Sequence, residues 1–264
     1  MNISAKNFKR IVIKVGSSTL THNSGYINIR KIEKIVSCLA DLHNCGKEII
    51  LVSSGAVSCG LAKIGLRRET LTTEQKQAAA AVGQCALIDM YAKRFSDFGA
   101  TIAQILLTRG VIDQAERRAH ASNTIKILLQ QGVIPIVNEN DTISDEQINI
   151  GSNDTLAAPV AVLSNADLLI NMSDVDGLYD KDPRSNPDAK FIEYVEELTE
   201  DIYSFGSGAG TARGTGGMSA KLESAKYCTD NGIPMIILNG ADPEILYDVF
   251  DGDFKGTYFN ASRS

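Results

Sequence analysis

Residues 11–20 read IVIKVGSSTL. Four β-branched residues enclose one lysine, with no alternation of apolar and polar. A run of this kind is a strand buried on both faces, which is the condition of a parallel sheet. The same texture returns in EIILV (48–52), TIAQILL (101–107), VIPIV (133–137), DLLINM (167–172) and PMIIL (234–238). Helical patterns lie between them. Over 28–46, Ile29, Ile32, Ile35, Val36, Leu39 and Leu42 share one face and Gly46 supplies the stop. Further helices are expected over 73–99 with Thr73 as N-cap, over 114–132, over 153–165 with Ser152 or Asn153 as cap and Pro159 inside, and over 218–232. Strands alternating with helices predict an α/β sandwich with a mainly parallel sheet. Two stretches break the pattern: 138–154 reads as a polar hairpin or excursion, and 173–190, rich in Asp, Gly and Pro, as a long loop.

Composition sets the bounds. The 264 residues allow one large domain or two small ones, and 44% hydrophobic with 22% charged residues is ordinary for a globular protein. A formal charge of −6 argues against non-specific binding to nucleic acid or an anionic membrane. It leaves room for a nucleotide, which a few local lysines can hold. Five cysteines, an odd number without a C-x-x-C pair, read as buried reduced thiols. The N-terminus has no apolar leader segment and no stretch is long enough for a membrane span, so a cytoplasmic protein is expected.

Five constellations could carry chemistry. Lys14 interrupts the first strand just before a Gly-Ser-Ser loop; either it is buried beside an anionic partner, or the strand is at an edge and the ammonium is in water. Ser53, Ser54 and Gly55 end a second strand and open a helix, as an anion site or a plain cap. Asn138, Asn140, Asp141, Asn153 and Asp154 bracket the polar excursion and suit an ammonium or hydroxyls, or only turns. Ser173 and Asp174 follow a strand where a nucleotide base or ribose would lie; the D-x-D-G that begins at Asp174 has its glycine in the wrong position for a calcium loop. Residues 213–221, RGTGGMSAK, are not a P-loop, because Ala220 stands where glycine is required. Their glycines can still form a nest of N–H donors, with Lys221 one turn inside the next helix. His22, His43 and His120 show no catalytic or metal-binding spacing, so the chemistry is one that needs no histidine base.

In order along the chain, KVGSSTL, VSSGAVSCG, AAVGQ, LLTR, VIPIVNEND, GSNDTLAA, DVDGLYDKDPRSNP and GTGGMSAK resemble the amino acid kinase family, and within it the glutamate 5-kinase branch. The resemblance implies a three-layer αβα sandwich formed by a single kinase domain over 1–264. An amino-acid-binding lobe would span about 1–172 and an ATP-binding lobe about 173–264. It implies ATP as co-substrate, with magnesium carried by ATP, and phosphorylation of the side-chain carboxylate of L-glutamate. Lys14 and Lys221 would contact the transferring phosphate and Asp154 would organise them. Ser54, Asp141 and Asn153 would bind glutamate. ATP would meet Lys14, Ser173, Asp174, Thr215, Gly216, Gly217, Met218, Ser219, Ala220 and Lys221. A homo-oligomer (dimer or tetramer) and functional coupling to a glutamyl phosphate reductase are expected. The sequence departs from the family at Ser152, where an aspartate is usual, and with GTYFNASRS as its last residues a short form without the C-terminal PUA domain of many relatives is expected. Acetylglutamate or nucleoside monophosphate kinases, and a regulator without turnover, are the alternatives.

Overall fold

The computed structural model describes residues 5–22, 26–66, 71–143, 153–207 and 217–261. The chain runs β1 (Arg10–Val15), α1 (Ser17–Leu20), α2 (Ile29–Asn44), β2 (Glu48–Ser53), α3 (Ala56–Ile64), α4 (Thr73–Ser96) and β3 (Thr101–Leu107). It continues through α5 (Arg109–Asp113), α6 (Ala115–Gln130), β4 (Val133–Glu139), α7 (Asn153–Ser164), β5 (Leu168–Ser173), β6 (Leu178–Tyr179) and β7 (Phe191–Ile192). It closes with β8 (Tyr194–Val195), α8 (Glu200–Ser204), α9 (Met218–Asp230), β9 (Met235–Asn239), α10 (Ile245–Asp251) and β10 (Gly256–Phe259).

Eight strands form one sheet in the order β3-β4-β2-β1-β5-β9-β10-β8. Pairing is parallel from β3 to β9, and only the β9–β10 pair is antiparallel. The two-residue period of a strand sends alternate side chains into two separate cores. Ile11, Ile13 and Val15 of β1 join the core beneath α2, α4 and α10. Val12 joins the core beneath α6, α7 and α9. Helices thus cover both faces, as the unbroken apolar runs require, and the expected sandwich is the observed fold. No helix among the described residues is long and apolar enough to cross a membrane.

Several expectations need correction. TIAQILL is not buried on both faces: β3 is the sheet edge and only Leu107 is buried. Thr72, not Thr73, caps α4; its hydroxyl accepts from the Gln75 N–H and the Gln75 side chain returns to the Thr72 N–H, a capping box. The helix expected over 114–132 is preceded by a separate short one, α5. From inside the long loop, β6 pairs with β7, which follows directly after it, as a small antiparallel ribbon. The C-terminal α10 and β10 carried too short a pattern to be read. Cys38, Cys59 and Cys228 are buried, but Cys45 and Cys85 are exposed. Most of the excursion expected over 138–154 lies outside the described residues.

The crossing of α3 and α4 explains the AAVGQ stretch. A Cβ on Gly83 would lie 1.8 Å from the Ala56 carbonyl oxygen, and one on Gly60 would lie 1.8 Å from that of Ala79. The two backbones touch where any side chain would separate them. Gly55, at φ 108°, turns the chain from β2 into α3 in a conformation that other residues strongly disfavour. Together they hold Ser53 and Ser54 near the end of the sheet.

Candidate active site

The first strand turns toward α1 and α2 on one face, whereas β5 leads to α8 and α9 on the other. Between adjacent β1 and β5, connections therefore diverge. Open α/β sheets bind ligands at such a point, beyond the carboxyl ends of the strands.

Lys14 lies near that end of β1. It is the register partner of Asn171 on β5 and of Val52 on β2, so β1 is central and the edge-strand alternative is excluded. By alternation with Val12, its side chain faces α7 and α9. At 5% exposure its ammonium has left water, and its carboxylate partner is Asp154 in the first turn of α7. The other oxygen of Asp154, Oδ2, lies 3.0 Å from Nζ of Lys221, in the first turn of α9. Asn171 Nδ2 donates to Asp154 Oδ1 at 2.9 Å, and the Ser224 hydroxyl donates to the Asp154 carbonyl at 2.7 Å, tying α9 to α7.

The charges explain the titration. Burial alone would push the Asp154 carboxyl up, but Lys14 and Lys221 overcome it and bring it down to about 2. Burial lowers the pKa of Lys14, aided by the charge of Lys221 and opposed by Asp154. The three buried side chains, two ammonium groups and one carboxylate, carry a formal charge of +1, and the exposed Asp174 carboxylate also acts on Lys14. Such a site attracts an anion. A Cβ on Gly16 would come within 3.3 Å of the Lys14 ammonium, so glycine keeps that approach open.

A second group stands at the ends of β2 and β4. Asn153 Nδ2 lies 2.7 Å from the Ser53 carbonyl, 2.8 Å from Ser54 Oγ and 2.9 Å from Asn138 Oδ1. Two amide protons cannot serve three acceptors at once, and the Ser54 hydroxyl is the one able to turn toward a ligand. Asn138 Nδ2 donates to Gln84 Oε1 of α4 at 2.8 Å, and Ser53 Oγ meets the Tyr91 hydroxyl of the same helix at 2.9 Å. Asp141 is half-buried, and desolvation pushes its carboxyl up to about 6.

The remaining expected residues that are described lie at the end of β5 and the start of α9. Ser173 is buried at the end of β5 and its hydroxyl donates to the exposed Asp174 at 3.2 Å. Gly217 precedes α9 in extended conformation, followed by Met218, Ser219 and Ala220 in its first turn. Thr215 and Gly216 lie outside the described residues, as does Ser152. Asn171, Gln84 and Ser224 were missed in the sequence as parts of this arrangement. Asn171 carried the same signal as Lys14, a polar residue inside an apolar run.

The profile of the amino acid kinase family matches residues 9–239. The chain belongs to the amino acid kinase family. Among curated relatives, the glutamate 5-kinase of Clostridium perfringens is 49% identical, over 100% of this chain and 99% of that protein. The glutamate 5-kinase of Clostridium tetani is 52% identical, over 98% of this chain and 97% of that protein. Among solved structures of this kinase fold, UMP kinase from Ureaplasma parvum superposes with TM-score 0.65 at 18% identity, covering 96% of this chain and 99% of its own. An isopentenyl phosphate kinase complex gives 0.65 at 20% identity, covering 96% of this chain and 100% of its own. At such identities the two structures bear on the fold alone.

Proposed function

We propose that this amino acid kinase is a glutamate 5-kinase, transferring the γ-phosphoryl group of ATP to the side-chain carboxylate of L-glutamate. The observation that carries the reading is the buried Lys14–Asp154–Lys221 cluster, with its surplus positive charge, at the sheet's switch point. Relatives of full-chain similarity are glutamate 5-kinases.

The acceptor carboxylate, with an ordinary pKa near ~4.3, is already a nucleophile at neutral pH, so no general base is required. Its oxygen attacks the γ-phosphorus, the bond to the β–γ bridging oxygen breaks, and ADP leaves with that electron pair. The products are L-glutamyl 5-phosphate and ADP. The barrier is the approach of two anions, so positioning and charge neutralisation supply most of the catalysis. Lys14 and Lys221 act on the moving phosphoryl group from opposite sides, and Asp154 keeps the two ammonium groups apart and aimed. Ser173, Asp174 and residues 215–221 serve ATP. Ser54 and Asn153 hold the acceptor, and Asp141 receives its α-ammonium. The acceptor lobe is thus about 1–172 and the nucleotide lobe about 173–264.

Magnesium bound to ATP neutralises phosphate oxygens. It keeps much of its water shell and asks little of the protein. The acyl phosphate product is labile, so a glutamyl phosphate reductase is the functional partner. A cytoplasmic homo-oligomer, dimer or tetramer, belongs to the same reading, and light scattering would count its subunits.

The test is ADP release across L-glutamate, N-acetylglutamate and UMP, with hydroxylamine trapping of the acyl phosphate. Turnover and trapping with L-glutamate are expected. Acetylation removes the charge that Asp141 would pair with, at a cost on the order of 2–5 kcal/mol. Equal turnover of L-glutamate and N-acetylglutamate would defeat the assignment.

A further inference from the structure

Asn171 interrupts β5 as Lys14 interrupts β1, and the two are register partners. It is completely buried, between Ile170 and Met172, which are also completely buried. Its Nδ2 donates at 2.9 Å to Asp154 Oδ1, the oxygen that also meets Lys14. Its own Oδ1 is buried with no hydrogen-bond partner among the described residues. An unmade buried hydrogen bond costs stability. Leucine at this position would remove that cost and match the rest of the strand. Leucine would also lose the hydrogen bond to Asp154, which is of similar size, so the two effects on stability offset and the asparagine brings little net stability.

We infer that Asn171 is a positioning residue for phosphoryl transfer, fixing the roll of the Asp154 carboxylate so that Oδ1 addresses Lys14 and Oδ2 addresses Lys221. A carboxylate held only by two lysines can turn about its Cβ–Cγ bond and follow their flexible stems. A third donor on a short side chain in the centre of a sheet makes the two oxygens inequivalent. Because the amide is neutral, it adds direction without changing the formal charge of +1 on the three buried side chains. A lysine here would raise that charge and an aspartate would cancel it.

This inference rests on the kinase reading, and its test begins with the native protein in the glutamate-dependent ADP-release assay. Asn171→Leu is then compared with it. The melting temperature should change little, both KM values should stay within about twofold, and kcat should fall about tenfold or more, the scale of losing one hydrogen bond to a charged group. A purely structural asparagine would leave kcat unchanged, and kcat within about twofold of native in folded Asn171→Leu overturns the inference. Should the leucine variant fail to fold, Asn171→Ala makes no steric demand and is judged by the same kcat and KM limits. Native protein without glutamate-dependent ADP release overturns the kinase reading and this inference with it. Native turnover with an unaffected variant overturns the inference alone.

Discussion

The two ends of the candidate site are built differently. At the proposed phosphate end, three buried ions meet: Lys14 from a central strand, and Asp154 and Lys221 from the first turns of two helices. At the proposed acceptor end, Ser53, Ser54, Asn138 and Asn153 form a neutral hydrogen-bond network mounted on Gln84 and Tyr91 of α4, and Asp141, three residues after Asn138, is a half-buried acid. The difference follows from the task assigned to each end. A migrating phosphoryl group needs charge already in place, and buried charge persists only when paired. An amino acid needs recognition, which neutral donors and acceptors supply at a lower desolvation cost, with Asp141 as the carboxylate proposed for its ammonium. Mutations at the first end should act on kcat, and those at the second on acceptor KM.

Asp154→Asn tests this division most severely. The variant loses the one carboxylate between two buried ammonium groups. Burial already lowers the Lys14 pKa, and without Asp154 the strongest opposing influence is gone, so Lys14 can shed its proton and the domain stays folded. Since one transition-state donor is typically worth about 10²–10³ in kcat, misaiming two should cost at least that, with modest change in either KM. Steady-state kinetics with circular dichroism as the folding control measures it. A well-folded variant keeping more than about a tenth of kcat would reduce Asp154 to a helix cap.

Next in size is Asp141→Ala. Glutamate KM should rise by the equivalent of about 2–5 kcal/mol while ATP KM moves little, because only the acceptor loses its counter-charge. An equal loss for ATP would erase the distinction between the two ends.

The smallest effect is a pH dependence that should separate them without mutation. Asp141 must be ionised to receive an ammonium, and burial holds its carboxyl at about 6, so its charge is present above that value and is lost as pH falls through it. Between pH 7 and pH 5, kcat/KM for glutamate should fall about tenfold. Asp154, at about 2, stays ionised throughout, so kcat should be nearly flat. Rates measured from pH 5 to pH 8 decide this, and an acid limb near 6 that survives in Asp141→Asn would place the titrating group elsewhere.

Much of this arrangement was legible in one dimension because burial on both faces leaves a pattern. β1, β2, β4, β5 and β9 are apolar regardless of face, which marks them as inner strands. The edge position of β3 was not legible, since an apolar run does not say how many neighbours it has. Short terminal elements such as β10 and α10 escaped for want of enough residues to show a period.

The sequence by itself determined the layered α/β architecture and named Lys14, Asp154 and Lys221, through apolar periodicity and an ordered set of family motifs. Only the tertiary structure decided which oxygen of Asp154 meets which lysine, that Asn171 stands opposite Lys14, and that Gln84 and Tyr91 of α4 support the acceptor network. Periodicity reports the face on which a side chain lies, a local property of one element. Pairing across the sheet depends on register and helix placement, which are set jointly by residues far apart in the chain. Lys14 and Asn171 are far apart in sequence, and the parallel register of β1 on β5 makes them neighbours.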